Sequence, residues 1–197
     1  MPVVYYVRHG ETDFNAEQRL QGRRDTLLNA RGRRQAAHCG EILRDLFARE
    51  ARHAGAFTYT ASPLRRASET MQILRATLAL EPAHYTLDPR LMEISYGEWE
   101  GLTLPEIQAR SPDVLARREA DKWDFAPPGG ESYADLSRRI ADWYQGLTRD
   151  TVVAAHGGGA RALMAMFNVL PREEATHAQI AQGAVYVFGD GGMTRYA

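Results

Sequence analysis

Hydrophobic positions along this chain follow two periods that alternate with one another. Short apolar runs occur at Val3-Val4-Tyr5-Tyr6-Val7, Phe57-Thr58-Tyr59-Thr60, Thr151-Val152-Val153-Ala154-Ala155 and Val185-Tyr186-Val187-Phe188, with a weaker run at Tyr85-Thr86-Leu87. Each is too brief for a helix and reads as a buried strand. The stretches between them carry the helical spacing. Over residues 30–49, Ala36, Gly40, Leu43 and Phe47 share one face, with Asn29 placed to cap it. Ser62 and Pro63 read as N-cap and first residue of a second helix, whose stripe runs Leu64, Ala67, Met71, Leu74, Leu78. Ser132 caps a third, with Leu136, Ile140, Trp143 and Leu147 on one side, and a fourth spans residues 158–170. Asp190-Gly191 is a hairpin signal leading into an edge strand near Met193–Tyr196.

Strands alternating with amphipathic helices predict an α/β fold, a three-layer α/β/α arrangement around a mostly parallel sheet. Residues 13–28 read as a loop. The stretch 97–131, broken by Gly97, Gly101, Pro105, Pro112 and Pro127-Pro128-Gly129-Gly130, reads as a lid-like excursion over one edge of the sheet. Nothing in it resembles a linker, so residues 1–197 are expected to form one domain.

Composition narrows the functional classes. A net charge of −1 supplies no field to attract nucleic acid or an anionic membrane, and neither partner is expected. Cys39 is the only cysteine, which excludes an internal disulfide and a cysteine-based zinc site. Its helical neighbours Ala36 and Leu43 suggest a buried, inert thiol. The first strand begins within a few residues of Met1, and no apolar run reaches membrane-spanning length, so a cytoplasmic location is expected. Lys122 is the only lysine; positive charge here is otherwise guanidinium, which grips phosphate bidentately.

The candidate chemistry sits at strand ends. Arg8-His9-Gly10-Glu11-Thr12 closes the first strand, Ser62-Pro63-Leu64-Arg65 follows the second, and His156-Gly157 closes the run 151–155. In an open α/β sheet such ends gather along one edge, where ligands bind. Two arginines, two imidazoles and the N-termini of two helices at one place suit a phosphoryl group: the guanidiniums and N–H groups neutralise its oxygens, and a neutral imidazole can attack phosphorus. The residues alone leave open which histidine attacks. Arg66, beside Arg65, reads as a helix-surface ion-pairing residue.

The same motifs carry a resemblance. Arg8-His9-Gly10-Glu11-Thr12, Ser62-Pro63-Leu64-Arg65-Arg66-Ala67, Glu93 within Met92–Gly101, and His156-Gly157-Gly158 stand in the order found in the histidine phosphatase family, which includes the cofactor-dependent phosphoglycerate mutases. Asn15, Leu20-Gln21-Gly22, Leu28, Gly32, Gln35-Ala36, Thr70, Gly130-Glu131-Ser132 and Arg161 extend the match from Val3 to about Leu170. The resemblance implies a phosphoglycerate mutase-like fold and a metal-independent phosphomonoester hydrolase that needs no cofactor and acts on a small phosphorylated metabolite. In it, His9 is the phosphorylated nucleophile, Arg8, Arg65 and His156 hold the phosphate, and Asn15 and the Gly157 amide add contacts. Glu93 is the proton donor, with Glu98 and Glu100 as surface neighbours.

Mutase activity is the alternative, because the paired Arg117-Arg118 could hold a carboxylate or second phosphate. Against it, the interval from Glu93 to His156 is short and its basic residues Arg110, Arg117, Arg118 and Lys122 are interleaved with acids. A non-catalytic phosphate-binding module would lack a nucleophile or acid, and both are present. A serine hydrolase built on Ser132 and the His156-Gly157-Gly158-Gly159 loop has its motifs in the wrong order. His38, His53, His84 and His177 read as surface or packing residues, and Trp99, Trp123 and Trp143 as packing anchors. Oligomeric state is not legible.

Overall fold

Alternate side chains of the N-terminal apolar run enter two different cores. Strand β1 (Val4–Arg8) sends Val4 and Tyr6 to one face of the sheet and Tyr5 and Val7 to the other, as the period of two requires. Strand β4 (Thr151–Ala155) divides in the same way, with Val153 and Ala155 on the first face and Val152 and Ala154 on the second. The computed structural model describes residues 1–197. Its six-stranded sheet has the order β3-β2-β4-β1-β5-β6, with β2 at Thr58–Ala61, β3 at Thr86–Leu87, β5 at Val185–Gly189 and β6 at Gly192–Tyr196. The first four strands in that order are mutually parallel, β5 pairs antiparallel with β1, and β6 pairs antiparallel with β5 at the edge. The sheet is therefore mostly parallel, and the expected Asp190-Gly191 turn joins its last two strands.

Eight helices accompany the sheet: α1 Asp13–Ala16, α2 Ala30–Arg49, α3 Arg65–Thr77, α4 Leu104–Arg110, α5 Pro112–Ala120, α6 Tyr133–Gln145, α7 Gly157–Met166 and α8 Arg172–Ala175. Helices α2 and α3 cover one face, through Leu43, Phe47, Met71 and Leu74. Helices α6 and α7 cover the other, through Leu136, Ile140, Trp143 and Leu163. Each of these side chains is almost wholly buried and stabilises the fold by about 1.5–3 kcal/mol relative to exposure. Asn29 caps α2 by accepting the Gly32 N–H at 2.9 Å, and Ser132 caps α6 in a reciprocal box with Asp135.

Three expectations are corrected. Helix α3 starts at Arg65 with Leu64 as its cap residue, so Ser62 and Pro63 lie before it. Helix α7 ends at Met166 rather than near residue 170. Residues 13–28 are not all loop, since α1 closes a capping box on Thr12. The stretch 97–131 holds α4 and α5 around a small apolar cluster of Trp99, Ile107 and Leu115, and it is stitched to the preceding loop by Gly101 N–H to Leu20 O at 2.7 Å and Leu20 N–H to Leu102 O at 2.9 Å. No helix is long and apolar enough to cross a membrane.

Candidate active site

The carboxyl ends of β1, β2 and β4 meet, as the parallel order requires, and a cavity of about 190 Å³ opens there. Arg8, His9, Asn15, Arg19, Gln21, Arg66, Glu93, Tyr96, Gly157 and Arg161 contribute to its walls. A larger cavity of about 640 Å³ lies between α6 and α7 beside Trp123, but it is lined by no histidine, cysteine or carboxylate. The chemistry belongs to the smaller one.

His9 follows β1 and is only 2% exposed. The turn behind it is tightly held: a Cβ on Gly10 would overlap the Gly32 carbonyl, so this approach of the loop to α2 requires glycine. Thr70 accepts the Gly10 N–H at 3.1 Å and Gln35 the Glu11 N–H at 2.8 Å. His9 Nδ1 lies 2.7 Å from the Gly10 carbonyl, which can only accept, so Nδ1 carries the proton. Burial, then the charges of Arg66 and Arg8, hold the pKa well below the ordinary histidine range. The ring is neutral at pH 7, and its lone pair resides on Nε2.

Arg66 Nε donates to that lone pair at 3.3 Å. The guanidinium is fully buried, with Nη1 on Arg24 O at 2.7 Å and Nη2 on Gly22 O at 2.8 Å. Burial lowers its pKa to about 10, so it remains charged at neutral pH. This corrects the sequence expectation for the pair. Arg65, predicted to hold phosphate, is exposed and outside the cavity; its backbone N–H donates to Asp25. Arg66, predicted to be a surface residue, is the one in the pocket. With α3 starting at Arg65, the second position of the helix turns inward, and adjacent helical residues diverge by about 100°.

His156 ends β4 and is 1% exposed, its ring 5.1 Å from that of His9 between centroids. Its backbone is anchored by Tyr6, whose hydroxyl donates to His156 O at 2.7 Å and accepts from His156 N–H at 3.1 Å. Ser62 does not cap α3; its hydroxyl pairs with His156 Nε2 at 2.8 Å. Burial, Arg66 and His9 lower the His156 pKa well below its usual range. His156 Nδ1 and Arg8 Nε are buried and have no protein hydrogen-bond partner, an arrangement suited to an oxyanion. Arg8 is itself held by Nη1 on Ile180 O at 2.6 Å.

Asn15 accepts through Oδ1 from Thr12 N–H and from Gln182 Nε2 at 3.0 Å, which turns its amide nitrogen into the remaining donor. Gly157 opens α7, where the N–H has no intrahelical acceptor. Glu93 accepts at Oε1 from its neighbour Ile94 N–H at 2.9 Å and from Gly158 N–H at 3.1 Å; a Cβ on Gly158 would collide with this carboxylate. The structure thus brings together Arg8, His9, Asn15, Glu93, His156 and Gly157, and leaves out Arg65. Arg19, Gln21, Tyr96 and Arg161 were given no role from sequence, although Gln21 and Arg161 belong to matched motifs. No cavity residue comes from 97–131; the nearest link is Arg118, whose guanidinium lies 5.5 Å from the Tyr96 ring centroid. Arg117 stands apart, exposed against Phe125.

Two buried neutral histidines make stability pH-dependent. In the unfolded chain they titrate near about pH 6.5. Their folded pKa values are lower, so below that pH the unfolded state binds more protons and stability falls. Each contributes up to about 1.4 kcal/mol per pH unit within the window. Thermal melts should show a falling midpoint below about pH 6.5, with a shallower slope in His156→Gln; an unchanged slope would contradict the neutral, buried ring.

Comparisons with known proteins identify the family. The model of the histidine phosphatase superfamily (branch 1) matches residues 4–193. The glucosyl-3-phosphoglycerate phosphatase of Mycolicibacterium vanbaalenii is 35% identical over 178 residues, 84% of this chain and 73% of that protein. A 2,3-bisphosphoglycerate-dependent phosphoglycerate mutase of Xanthobacter autotrophicus is 30% identical, over 94% of this chain and 90% of its own length. Among solved structures, mycobacterial glucosyl-3-phosphoglycerate phosphatase in complex with VO3 superposes with a TM-score of 0.78 at 28% identity, covering 100% of this chain and 97% of that one. The chain belongs to the histidine phosphatase superfamily, branch 1, and is a phosphatase.

Proposed function

We propose that the protein hydrolyses a small phosphomonoester by two in-line displacements through His9. The observation that carries this reading is the neutral His9 Nε2 lone pair, 3.3 Å from Arg66 Nε in an arginine-walled cavity. Nε2 attacks phosphorus as the P–O bond to the leaving group breaks, and Glu93 gives that oxygen a proton. Water then attacks the phosphohistidine, the P–N electron pair returns to Nε2, and Glu93 takes the water's proton. Arg8 and Arg66 neutralise the phosphoryl oxygens, with His156 Nδ1, the Asn15 amide and the Gly157 N–H as further donors. Glu93→Gln should slow alkyl phosphates by on the order of 10²-fold or more and activated aryl phosphates much less; equal losses measured with both would remove Glu93 from the acid role.

A cavity of about 190 Å³ is smaller than the roughly 300–1,000 Å³ of sites that enclose a drug-sized ligand, so it takes the phosphoryl end of the substrate and leaves the remainder at the Tyr96 side. Arg161 stands on that wall, with Nε on Ala178 O and Nη1 against Tyr133 Oη, and its Nη2 makes no hydrogen bond to the protein. A carboxylate next to the phosphate would meet it. Relatives named for glucosyl-3-phosphoglycerate favour a substrate of this type. Phosphate release should be assayed across phosphoglycerates, glucosyl-3-phosphoglycerate and neutral sugar phosphates. Faster release from the carboxylate-bearing esters is expected, and a preference for neutral ones would overturn the assignment.

The mutase-named relative supports a second reading, transfer back to a bound phosphoglycerate. The cations of 97–131 argue for hydrolysis instead: Lys122 is paired with Glu119 at 2.7 Å, Arg118 lies 3.4 Å from the same carboxylate, and Arg117 is exposed. Mutase activity measured in parallel is expected to be negligible beside hydrolysis.

A further inference from the structure

Behind the cavity, a chain of ionic contacts joins the loop that carries Glu93 to the turn that holds Arg66. Arg139, on α6, directs Nη1 to Arg90 O and Met92 O, both at 2.6 Å, and Nη2 to Glu93 O at 3.1 Å. The same guanidinium donates to Glu131, from Nε at 3.2 Å and Nη2 at 2.9 Å. Glu131 also accepts the Ser95 N–H at 3.0 Å and Arg23 Nη2 at 2.8 Å. Arg23 lies between Gly22 and Arg24, whose carbonyls carry Nη2 and Nη1 of Arg66. Glu100 makes a second tie between the same two segments, accepting at Oε1 the Arg23 N–H at 2.9 Å and the Tyr96 N–H at 3.2 Å.

We propose that Glu131 is a positioning residue which, through Arg139 on one side and Arg23 on the other, sets the placement of Glu93 relative to Arg66 and His9. None of the three ionic residues lines the cavity, so each acts through others. An isolated surface ion pair would contribute little. This carboxylate differs: its side chain is 19% exposed, that of Arg139 is 16% exposed, and four donors converge on its two oxygens. Removing the negative charge leaves Arg139 and Arg23 facing each other without a counter-charge and frees both loops. The reacting groups then drift apart, and proton delivery, which depends most on their spacing, is affected first.

The inference rests on Glu93 as the acid, and the test separates the two. Glu131→Gln, Arg139→Lys and Glu93→Gln are compared with the parent protein on an alkyl and an activated aryl phosphate, with thermal melts recorded for each. Arg139→Lys keeps the charge but loses the fork over the three carbonyls, and so serves if Glu131→Gln folds poorly. The expected result for both positioning variants is a fall in kcat on the alkyl ester on the order of 10- to 100-fold, a several-fold smaller fall on the aryl ester, and little change in KM. Glu131→Asp should recover part of the loss. If Glu93→Gln discriminates between the esters and the positioning variants lower both rates equally or not at all, the positioning role is overturned while the acid stands. If Glu93→Gln itself fails to discriminate, the acid assignment falls and the inference falls with it.

Discussion

Replacing His9 by alanine is expected to lower kcat by on the order of 10⁴-fold or more while the protein still folds. Attack on phosphorus requires a lone pair at the floor of the cavity, and His9 Nε2 is the neutral one there, since Nδ1 is committed to the Gly10 carbonyl. His156 has the donor role in this reading: the Ser62 hydroxyl lies at its Nε2, which leaves Nδ1 to meet the oxyanion. The fold should survive because the turn after β1 is fixed by Thr70, Gln35 and the Gly10–Gly32 approach rather than by the imidazole. Steady-state rates and a melting curve check both halves. Turnover near that of the parent would remove His9 from the reaction.

The second large effect separates two adjacent arginines. Arg66→Ala should lower kcat on phosphomonoesters by about 10²–10³-fold, the range for removing a preorganised donor from a developing oxyanion. Its stability should also fall, because the carbonyls of Gly22 and Arg24 lose the donors they share with this guanidinium. Arg65→Ala should stay within about twofold in rate and within about 0.5 kcal/mol in stability, as for an exposed side chain without a partner. Measuring both variants on one substrate decides the matter; the reverse order of effects would mean that Arg65, not Arg66, meets the phosphate.

That pair also marks where the sequence stopped being legible. Long local signals were readable: α2 occupies residues 30–49 behind its Asn29 cap, and β4 coincides with the apolar run 151–155. Strand-end motifs could be placed together because parallel order forces them to one edge. Ser62-Pro63 has the local chemistry of a helix start, yet the Ser62 hydroxyl is engaged by His156, a partner distant in sequence, and α3 begins two residues later. The stripe that α3 buries, Ala67, Met71 and Leu74, carries Arg66 on its flank beside Thr70 and turns Arg65 away. The anchoring of His156 by Tyr6, and of the Glu93 loop by Arg139 and Glu131, leaves no periodic or spacing signal. Glu131 stood within a matched motif, Gly130-Glu131-Ser132, but nothing local distinguished it from a surface carboxylate. The stretch 97–131 reads as a lid-like excursion; its apolar residues instead close on Trp99, Ile107 and Leu115, and the cavity wall comes from Tyr96 and Arg161.

The most direct test of the account is rapid quenching of the protein with a radiolabelled phosphomonoester, followed by assignment of the bound phosphate. The expected result is a covalent adduct on Nε2 of His9, labile to acid, stable to base, and absent from His9→Ala. Label on a serine, on His156, or on no residue during active turnover would contradict it.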